Sequence, residues 1–223
     1  MAPVDTKFSI KKAHNTQMLL SKKIVFRDKL SKKIRLVAGV DVAYTNGKSV
    51  GAVAVLDYDS LDLLETQTAF CENRFPYIPT LLSFREIPPA ISCIKKLRLE
   101  PDIFLIDGHG IAHPYRCGFA SHLGLVIQKP TIGVAKSKLV GEIAEKGENA
   151  LLTHKGQIVG SVVTTKQGFK PIYVSVGHMT TLERAIKVVK HCARGNRVPL
   201  PILRAHETAT EEKRKIKYFK RKE

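Results

Sequence analysis

Two aspartates lie in apolar stretches where a carboxylate is unexpected. Asp41 stands in the middle of VAGVDVAY, and Asp107 ends IFLID immediately before Gly-His-Gly. A buried, unpaired carboxylate is costly, so each needs a cation, a set of hydrogen bonds or a metal ion. For Asp41 alone, capping of nearby backbone amides is the alternative explanation. If the two lie on neighbouring strands, their charges repel without a divalent cation, and oxygen ligands of this kind favour Mg²⁺ or Mn²⁺.

Three histidines follow Asp107 and raise the alternative of a zinc site. The glycines and the proline around His109 and His113 disfavour the helix that would align histidines four residues apart, and the four cysteines form no CxxC pair. His113, fixed by the following proline, is interpreted as a proton donor or a phosphate contact. His109 and His122 are equally well explained by structural roles, and the cysteines by reduced core thiols.

Three further features could complete a site. Glu86, in SFREIP, becomes a third carboxylate if its helix packs over the strand ends; otherwise it is an exposed glutamate or a partner of Arg85. Lys136 follows a buried run, where a lysine can orient a phosphate or an attacking water, and the alternative is a surface lysine. The PYIP stretch at 76–79 is an aromatic and proline protrusion of the kind that wedges between stacked bases, or else a surface turn.

The hydrophobic pattern predicts the elements that position these residues. The expected strands cover 34–44, 49–58, the run LLETQTAF, 101–107, 130–135, 157–165 and 171–178, the first three as an antiparallel meander and the last two as a hairpin. The expected helices cover 8–28, which would lie on one face of the sheet, LLSFREIPPAISCIKKLRL, 118–128, 180–193 and a last one around LPILRAHETATEEKRK. Pro88 and Pro89 are expected to break the second helix into two segments.

Three strands, helix, strand, helix, strand is the order of the ribonuclease H-like fold. We therefore predict an α/β protein whose mixed sheet has an antiparallel meander and parallel strands, flanked by helices. No repeat, linker or composition break marks a boundary, so we expect one domain over residues 1–212, followed by a basic tail over 213–223.

The charge balance indicates a polyanionic partner. Thirty-seven Lys and Arg against 20 Asp and Glu give a net charge of +17, concentrated at residues 22–35 and in the tail. Such charge usually serves nucleic acid, because binding releases condensed counterions. A solvated basic surface with a disordered tail is the alternative, and anionic lipid is disfavoured because no amphipathic anchor is evident. With no signal peptide and no membrane-spanning apolar run, we expect a cytoplasmic protein. We also expect a monomer.

Four motifs together resemble the endonuclease V family. VAGVDVAY, PYIPTLLSFRE, IDGHGIAHPYRCGFASHLG and TIGVAKSKLVG occur in that order, and the likeness runs from about residue 8 to about residue 210. It implies a ribonuclease H-like fold and nicking, dependent on Mg²⁺ or Mn²⁺, of DNA containing deoxyinosine, the product of adenine deamination. The cut falls at the second phosphodiester bond 3′ to the lesion and leaves 3′-hydroxyl and 5′-phosphate ends; some members prefer inosine in RNA.

The resemblance also assigns residues. The implied catalytic set is Asp41, Glu86, Asp107, His113, Lys136 and His206, with the metal held by Asp41, Asp107 and Glu86. The implied strand-separating wedge is Tyr77, Ile78 and Pro79. The implied pocket for the flipped base is formed by the backbone around Thr80, Leu82, Gly108, Gly110 and Leu139.

Two departures from the family pattern and two rival functions remain open. The family usually has glycine at the position of Thr80 and arginine at that of Tyr115, although Arg116 is retained. A structure-selective repair nuclease of the same fold is one rival. A non-catalytic nucleic-acid-binding protein that kept the fold is the other, and the three intact carboxylates argue against it.

Overall fold

The computed structural model describes residues 9–29, 33–45, 47–73, 75–144 and 149–219, with side chains of the last helix described up to Lys215. Its helices are α1 Ile10–Ser21, α2 Leu82–Ile94, α3 Phe119–Ile127, α4 Leu182–Ala193 and α5 Leu200–Phe219. Its strands are β1 Leu36–Thr45, β2 Lys48–Asp57, β3 Leu63–Glu72, β4 Ile103–Asp107, β5 Thr131–Ala135, β6 Glu142–Ile143, β7 Asn149–His154, β8 Gln157–Val163 and β9 Ile172–His178.

The nine strands form one mixed sheet in the order β3-β2-β1-β4-β5-β9-β8-β7-β6. The meander β1 to β3 is antiparallel, β4 runs parallel to both β1 and β5, and β8 pairs with β9 antiparallel. The predicted ribonuclease H-like sheet, with its antiparallel and parallel parts, is confirmed. Asn46, in the predicted first turn, lies outside the described residues.

Helices cover both faces of the sheet because its central strands are apolar on both sides. Alternate residues of β1 and β4, such as Val37 and Leu105, pack with Ile202 of α5 and with α4. The intervening residues, such as Val40 and Ile106, pack with α2 and α3. The central strands are therefore fixed between two apolar layers.

The predicted break in α2 does not occur. Pro88 and Pro89 both lie inside one continuous helix, although each removes a backbone donor. Pro89 is buried against β2, where the missing side chain of Gly51 makes room for the Pro89 carbonyl group. Packing against the sheet thus outweighs the local preference for a break.

The first helix is shorter than predicted and lies elsewhere. α1 ends at Ser21, and the chain then extends because its backbone bonds to Met179, whose N–H donates to Val25 O (2.8 Å) and whose carbonyl accepts from Lys29 N (3.2 Å). α1 packs against α3 rather than directly on the sheet. Strands β6 and β7 were not predicted, and part of the predicted basic tail is helical, since α5 continues to Phe219.

Helix α5 approaches β1 closely at Gly39. A Cβ atom at this position would overlap the Pro201 carbonyl group, so glycine is what allows the helix to lie against the strand. This approach brings the first turn of α5 next to the middle of β1.

Replacing Gly39 by alanine should therefore push α5 away from β1. We expect Gly39→Ala to lower the free energy of unfolding by about 1–3 kcal/mol, the usual cost of overpacking. The measurement is chemical denaturation followed by circular dichroism. Gly47→Asn is the matched control, because nothing lies within 4 Å of a Cβ there and asparagine tolerates its φ of +74°. An equal loss in both variants would contradict the packing argument.

Candidate active site

Two aspartates converge at the centre of the sheet. The parallel register pairs Val40 with Ile106, so Asp41 and Asp107 follow next on adjacent strands and point to the same face. His206 of α5 joins them, and ligand atoms of the three residues lie within 4.8 Å of one another. The structure thus brings together two predicted metal ligands and the histidine assigned only by resemblance. We call Asp41, Asp107 and His206 the acidic group.

Each aspartate has a basic partner. Lys136, directly after β5, places Nζ 2.5 Å from Asp107 Oδ2, and His206 Nδ1 lies 2.7 Å from Asp41 Oδ2. Arg197 donates to the Lys136 carbonyl (3.0 Å), which fixes the backbone from which this lysine reaches the site. Lys136 is therefore a member of the site and not a plain surface lysine.

Glu86 approaches from α2, on the other layer of the protein. It is not part of the acidic group, but it is buried, and its Oε2 has no hydrogen-bond partner of normal geometry among the described residues. Burial, and then the negative charges of Asp41 and Asp107, raise the pKa of Glu86 well above its ordinary value. The same two causes, burial and Asp41, raise the pKa of Asp107, against the opposing effect of Lys136.

These features fit a divalent cation. Two convergent carboxylates and a third buried carboxyl with an unpartnered oxygen are the oxygen donors that Mg²⁺ and Mn²⁺ take. A cation would offset the repulsion that, together with burial, raises the pKa values of Asp107 and Glu86. Zinc is disfavoured, because His109 Nε2 contacts the Ser137 carbonyl (3.1 Å) and His122 Nδ1 contacts Ser83 Oγ (3.2 Å). All four cysteines are free, and three of them are buried.

A cavity of about 290 Å³ opens beside Glu86. We call it the loop cavity; its lining is Tyr77, Pro79, Thr80, Leu82, Ser83, Glu86, Gly108, His109, His113, Gly118, Phe119, Ser137, Lys138 and Leu139. Four of the five predicted pocket residues line it. Gly110 does not, since it packs against the Val176 carbonyl group. Ser83, Phe119 and Ser137 were not predicted, because only the tertiary structure brings them to this cavity.

The predicted wedge forms the rim of the loop cavity. Tyr77 is 69% exposed, Ile78 accepts a hydrogen bond from Leu81 N (3.0 Å), and Pro79 lines the opening. An exposed tyrosine held by a tight turn and two prolines is a stiff protrusion. The arrangement is consistent with a wedge, which stays a prediction.

His113 lies in the wall of the loop cavity and not in the acidic group. Its Nε2 contacts the Thr80 carbonyl oxygen (2.9 Å), and its Nδ1 accepts from Tyr115 N (3.2 Å). These contacts define the neutral ring with its proton on Nε2, and burial lowers the pKa of His113 to about 4. Its predicted part in proton donation would require breaking the hydrogen bond to Thr80.

A mixed sheet of this order, with carboxylates at neighbouring parallel strands, places the protein among the ribonuclease H-like nucleases. The chain belongs to the endonuclease V family, whose model matches residues 18–207. It is 41% identical over 205 residues to endonuclease V of Thermofilum pendens, covering 91% of this chain and 88% of that one.

Solved structures agree with this assignment. Endonuclease V of Streptomyces avermitilis superposes with a TM-score of 0.89 at 33% identity, covering 96% of this chain and 97% of that one. The Ciona intestinalis enzyme, in complex with a 24mer DNA containing an inosine followed by a ribo-adenosine, gives a TM-score of 0.84 at 33% identity, covering 93% of this chain and 98% of that one.

The helices of the described residues were also compared with the length and apolar character that a membrane span requires, and none of them meets both requirements.

The raised pKa of Glu86 makes a prediction about stability without metal. Above that pKa the buried, ionised carboxylate destabilises the folded state, whereas below the ordinary value of about 4.3 it is protonated in both states. In EDTA, Glu86→Gln should raise the melting temperature at pH 8 by about 2–4 °C, on the order of 1 kcal/mol. The gain should vanish near pH 4.

The measurement is thermal unfolding across pH, with and without Mg²⁺. Because a cation offsets the same repulsion, Mg²⁺ should narrow the difference at pH 8. Exposed Glu72→Gln is the control and should change little at any pH. A gain from Glu86→Gln that stays constant from pH 4 to pH 8 would contradict the electrostatic explanation.

Proposed function

We propose that this protein is a Mg²⁺-dependent endonuclease, also active with Mn²⁺, that nicks inosine-containing nucleic acid. Its main substrate is DNA that contains deoxyinosine. The cut is at the second phosphodiester bond 3′ to the lesion, with 3′-hydroxyl and 5′-phosphate products, and serves repair of deaminated adenine. The observation that carries the proposal is the continuity of the site, since Glu86 both lines the loop cavity and is electrostatically coupled to the acidic group. A base held in the cavity would place its own strand beside the carboxylates.

The carboxylates provide the framework for hydrolysis. Asp41, Asp107 and Glu86 would hold the cation, which supplies Lewis-acid polarisation of the phosphodiester when bound. Glu86 accepts a hydrogen bond from the attacking water and orients it. Lys136, beside Asp107, neutralises charge on the attacked phosphate.

Proton transfer to the leaving oxygen has two candidate donors. His113 was predicted for this step, but its ring proton is already donated to Thr80. His206 is more than half exposed and bonded through Nδ1 to Asp41. A His206 ring that carries a proton on both nitrogens can give the Nε2 proton to the departing 3′ oxygen and become the neutral ring. We therefore propose His206 as the donor, with water completing the 5′-phosphate end and no covalent intermediate.

Selectivity for inosine begins when the base leaves the duplex, before it contacts the loop cavity. Extruding a base costs a few kcal/mol, and least for a weakly paired one such as hypoxanthine. The wedge Tyr77, Ile78 and Pro79 would keep the strands apart while the base enters the loop cavity. The cavity is near the lower end of ligand pockets, about 300 Å³, which suits one base. The net charge of +17 adds affinity without sequence preference.

RNA containing inosine is the second candidate substrate. The DNA bound in the Ciona intestinalis structure carries a ribo-adenosine after its inosine. For the present protein we propose DNA as the main target and inosine RNA as an alternative. We also propose that it acts in the cytoplasm as a monomer, which size-exclusion chromatography with light scattering would test.

The decisive experiment compares matched oligonucleotides. Single-inosine DNA and RNA, single- and double-stranded, are incubated with enzyme and Mg²⁺, and the cut position is mapped. Undamaged bubble substrates are included, and a parallel series contains EDTA. Equal cutting of undamaged bubbles would favour a structure-selective nuclease, and no cutting in any arm would favour a binding protein without catalysis.

Removing either aspartate should separate cutting from binding. We expect Asp41→Ala and Asp107→Ala to lose nicking by at least about 10³-fold, because the cation site is lost, while affinity for the inosine oligonucleotide persists. Single-turnover nicking and fluorescence anisotropy measure the two properties. Asp62→Ala, at an exposed aspartate in the turn before β3, is the control. Metal-dependent cutting retained by either mutant would refute the site assignment.

A further inference from the structure

Thr80 has a backbone conformation that is unusual for its residue type. Its φ is +73°, in the left-handed region that a β-branched residue rarely adopts. It stands between the wedge and the start of α2, and it lines the loop cavity. A residue in such a conformation persists only where its surroundings fix it.

Two side chains hold the Thr80 carbonyl oxygen. Gln17 Nε2 donates to it (2.8 Å), and His113 Nε2 donates to it (2.9 Å), so both lone pairs are used. The second hydrogen of Gln17 Nε2 is donated to the Cys117 carbonyl (3.1 Å). Gln17 is fully buried and comes from α1, so the N-terminal helix reaches the cavity wall.

The Thr80 side chain is held by a second residue of α1. His14 Nε2 lies 3.1 Å from Thr80 Oγ1, and the His14 ring stacks on Tyr115, with centroids 4.1 Å apart and planes at 24°. Tyr115 N–H donates to His113 Nδ1 (3.2 Å), which closes a ring of contacts back to Thr80. We call the four residues His14, Gln17, His113 and Tyr115, which surround Thr80, the Thr80 clamp.

We propose that His14 is a positioning residue for substrate recognition, acting through Thr80 and supported by Tyr115. The proposal rests on the function proposed above and assigns to α1 a part in setting the wedge and the loop cavity. A shift of Thr80 would move one wall of the cavity and the turn that Leu81 N closes on Ile78 O (3.0 Å). The acidic group, built on β1, β4 and α5, would keep its geometry.

One arrangement explains both departures from the family pattern, Thr80 in place of glycine and Tyr115 in place of arginine. The hydroxyl of Thr80 and the ring of Tyr115 both contact His14, one by a hydrogen bond and the other by stacking. Thr80 therefore tolerates a conformation suited to glycine because His14 and its neighbours hold it. The roles of the three residues are coupled, and a test must vary them together.

The first test separates binding from chemistry. We expect His14→Ala to raise KM for Mg²⁺-dependent nicking of a single-inosine duplex about tenfold, the loss of a hydrogen bond and a stack, with kcat within about twofold of wild type. His14→Gln, which can restore a hydrogen-bond partner to Thr80 Oγ1, should reverse part of the rise in KM. Asn15→Ala, at the exposed neighbour on α1, is the matched control.

The second test asks whether His14 acts through Thr80. Glycine adopts a positive φ without strain, so a Thr80→Gly background removes both the strained residue and its contact with His14. In that background we expect His14→Ala to raise KM by less than about twofold. Amide hydrogen exchange at Leu81, measured without substrate, should accelerate about tenfold in His14→Ala alone.

The outcomes distinguish this proposal from the function on which it rests. A wild-type protein that fails to cut the inosine duplex refutes the proposed function. The exchange rate at Leu81 needs no substrate, and an unchanged rate in His14→Ala would show that His14 does not hold Thr80. Unchanged KM in His14→Ala refutes the positioning role, whatever the exchange rate. A tenfold rise in KM that persists in the Thr80→Gly background refutes action through Thr80, and a matching fall in kcat refutes the separation from chemistry.

Discussion

The repulsion between Asp41 and Asp107 is the constraint on which the rest of the site depends. Parallel pairing of β1 with β4 places the two carboxylates side by side, in surroundings too dry to screen them. Lys136 and His206 each approach one of them, and β5 and α5 are the elements that carry these partners. Gly39 is needed because α5 must lie close to β1 for His206 to reach Asp41. The strands β1, β4 and β5 and the helix α5 therefore hold two negative charges close together, each beside a basic side chain.

Helix α2 connects the loop cavity with the acidic group. Its N-terminal turn follows Thr80 and the wedge, and Glu86 stands one turn further along, facing both the loop cavity and the aspartates. Packing of α2 against β2 holds the helix that carries Glu86. Thr80, which precedes this helix, is held separately by side chains of α1.

Local patterns predicted the parts of the fold that local forces determine. The β-branched runs around Asp41 and Asp107 predicted buried strands, and their order along the chain predicted the mixed sheet and the pairing of the aspartates. The break at Pro88 and Pro89 was wrong because contacts with β2 outweigh the lost backbone bonds. The end of α1 was misplaced because Met179, far away in sequence, takes its backbone bonds.

The site residues also divide into those that local sequence patterns predict and those that depend on contacts between distant parts of the chain. Asp41 and Asp107 were evident from chemistry, whereas His206 needed the family resemblance, since nothing in RAHETA distinguishes it. The contacts of His14 and Gln17 with Thr80 span 66 and 63 residues, and no local spacing indicates them. The position of His113 in the cavity wall likewise follows from the loop that Thr80 closes.

The hydrogen bond between His206 and Asp41 also has a consequence for synthesis. Its two residues are 165 positions apart in the chain, and α5 is synthesised after the strands that carry the aspartates. Contacts of such long range form late in folding, because the intervening chain must first be ordered. A growing polypeptide would therefore carry the aspartates long before it could assemble the whole centre.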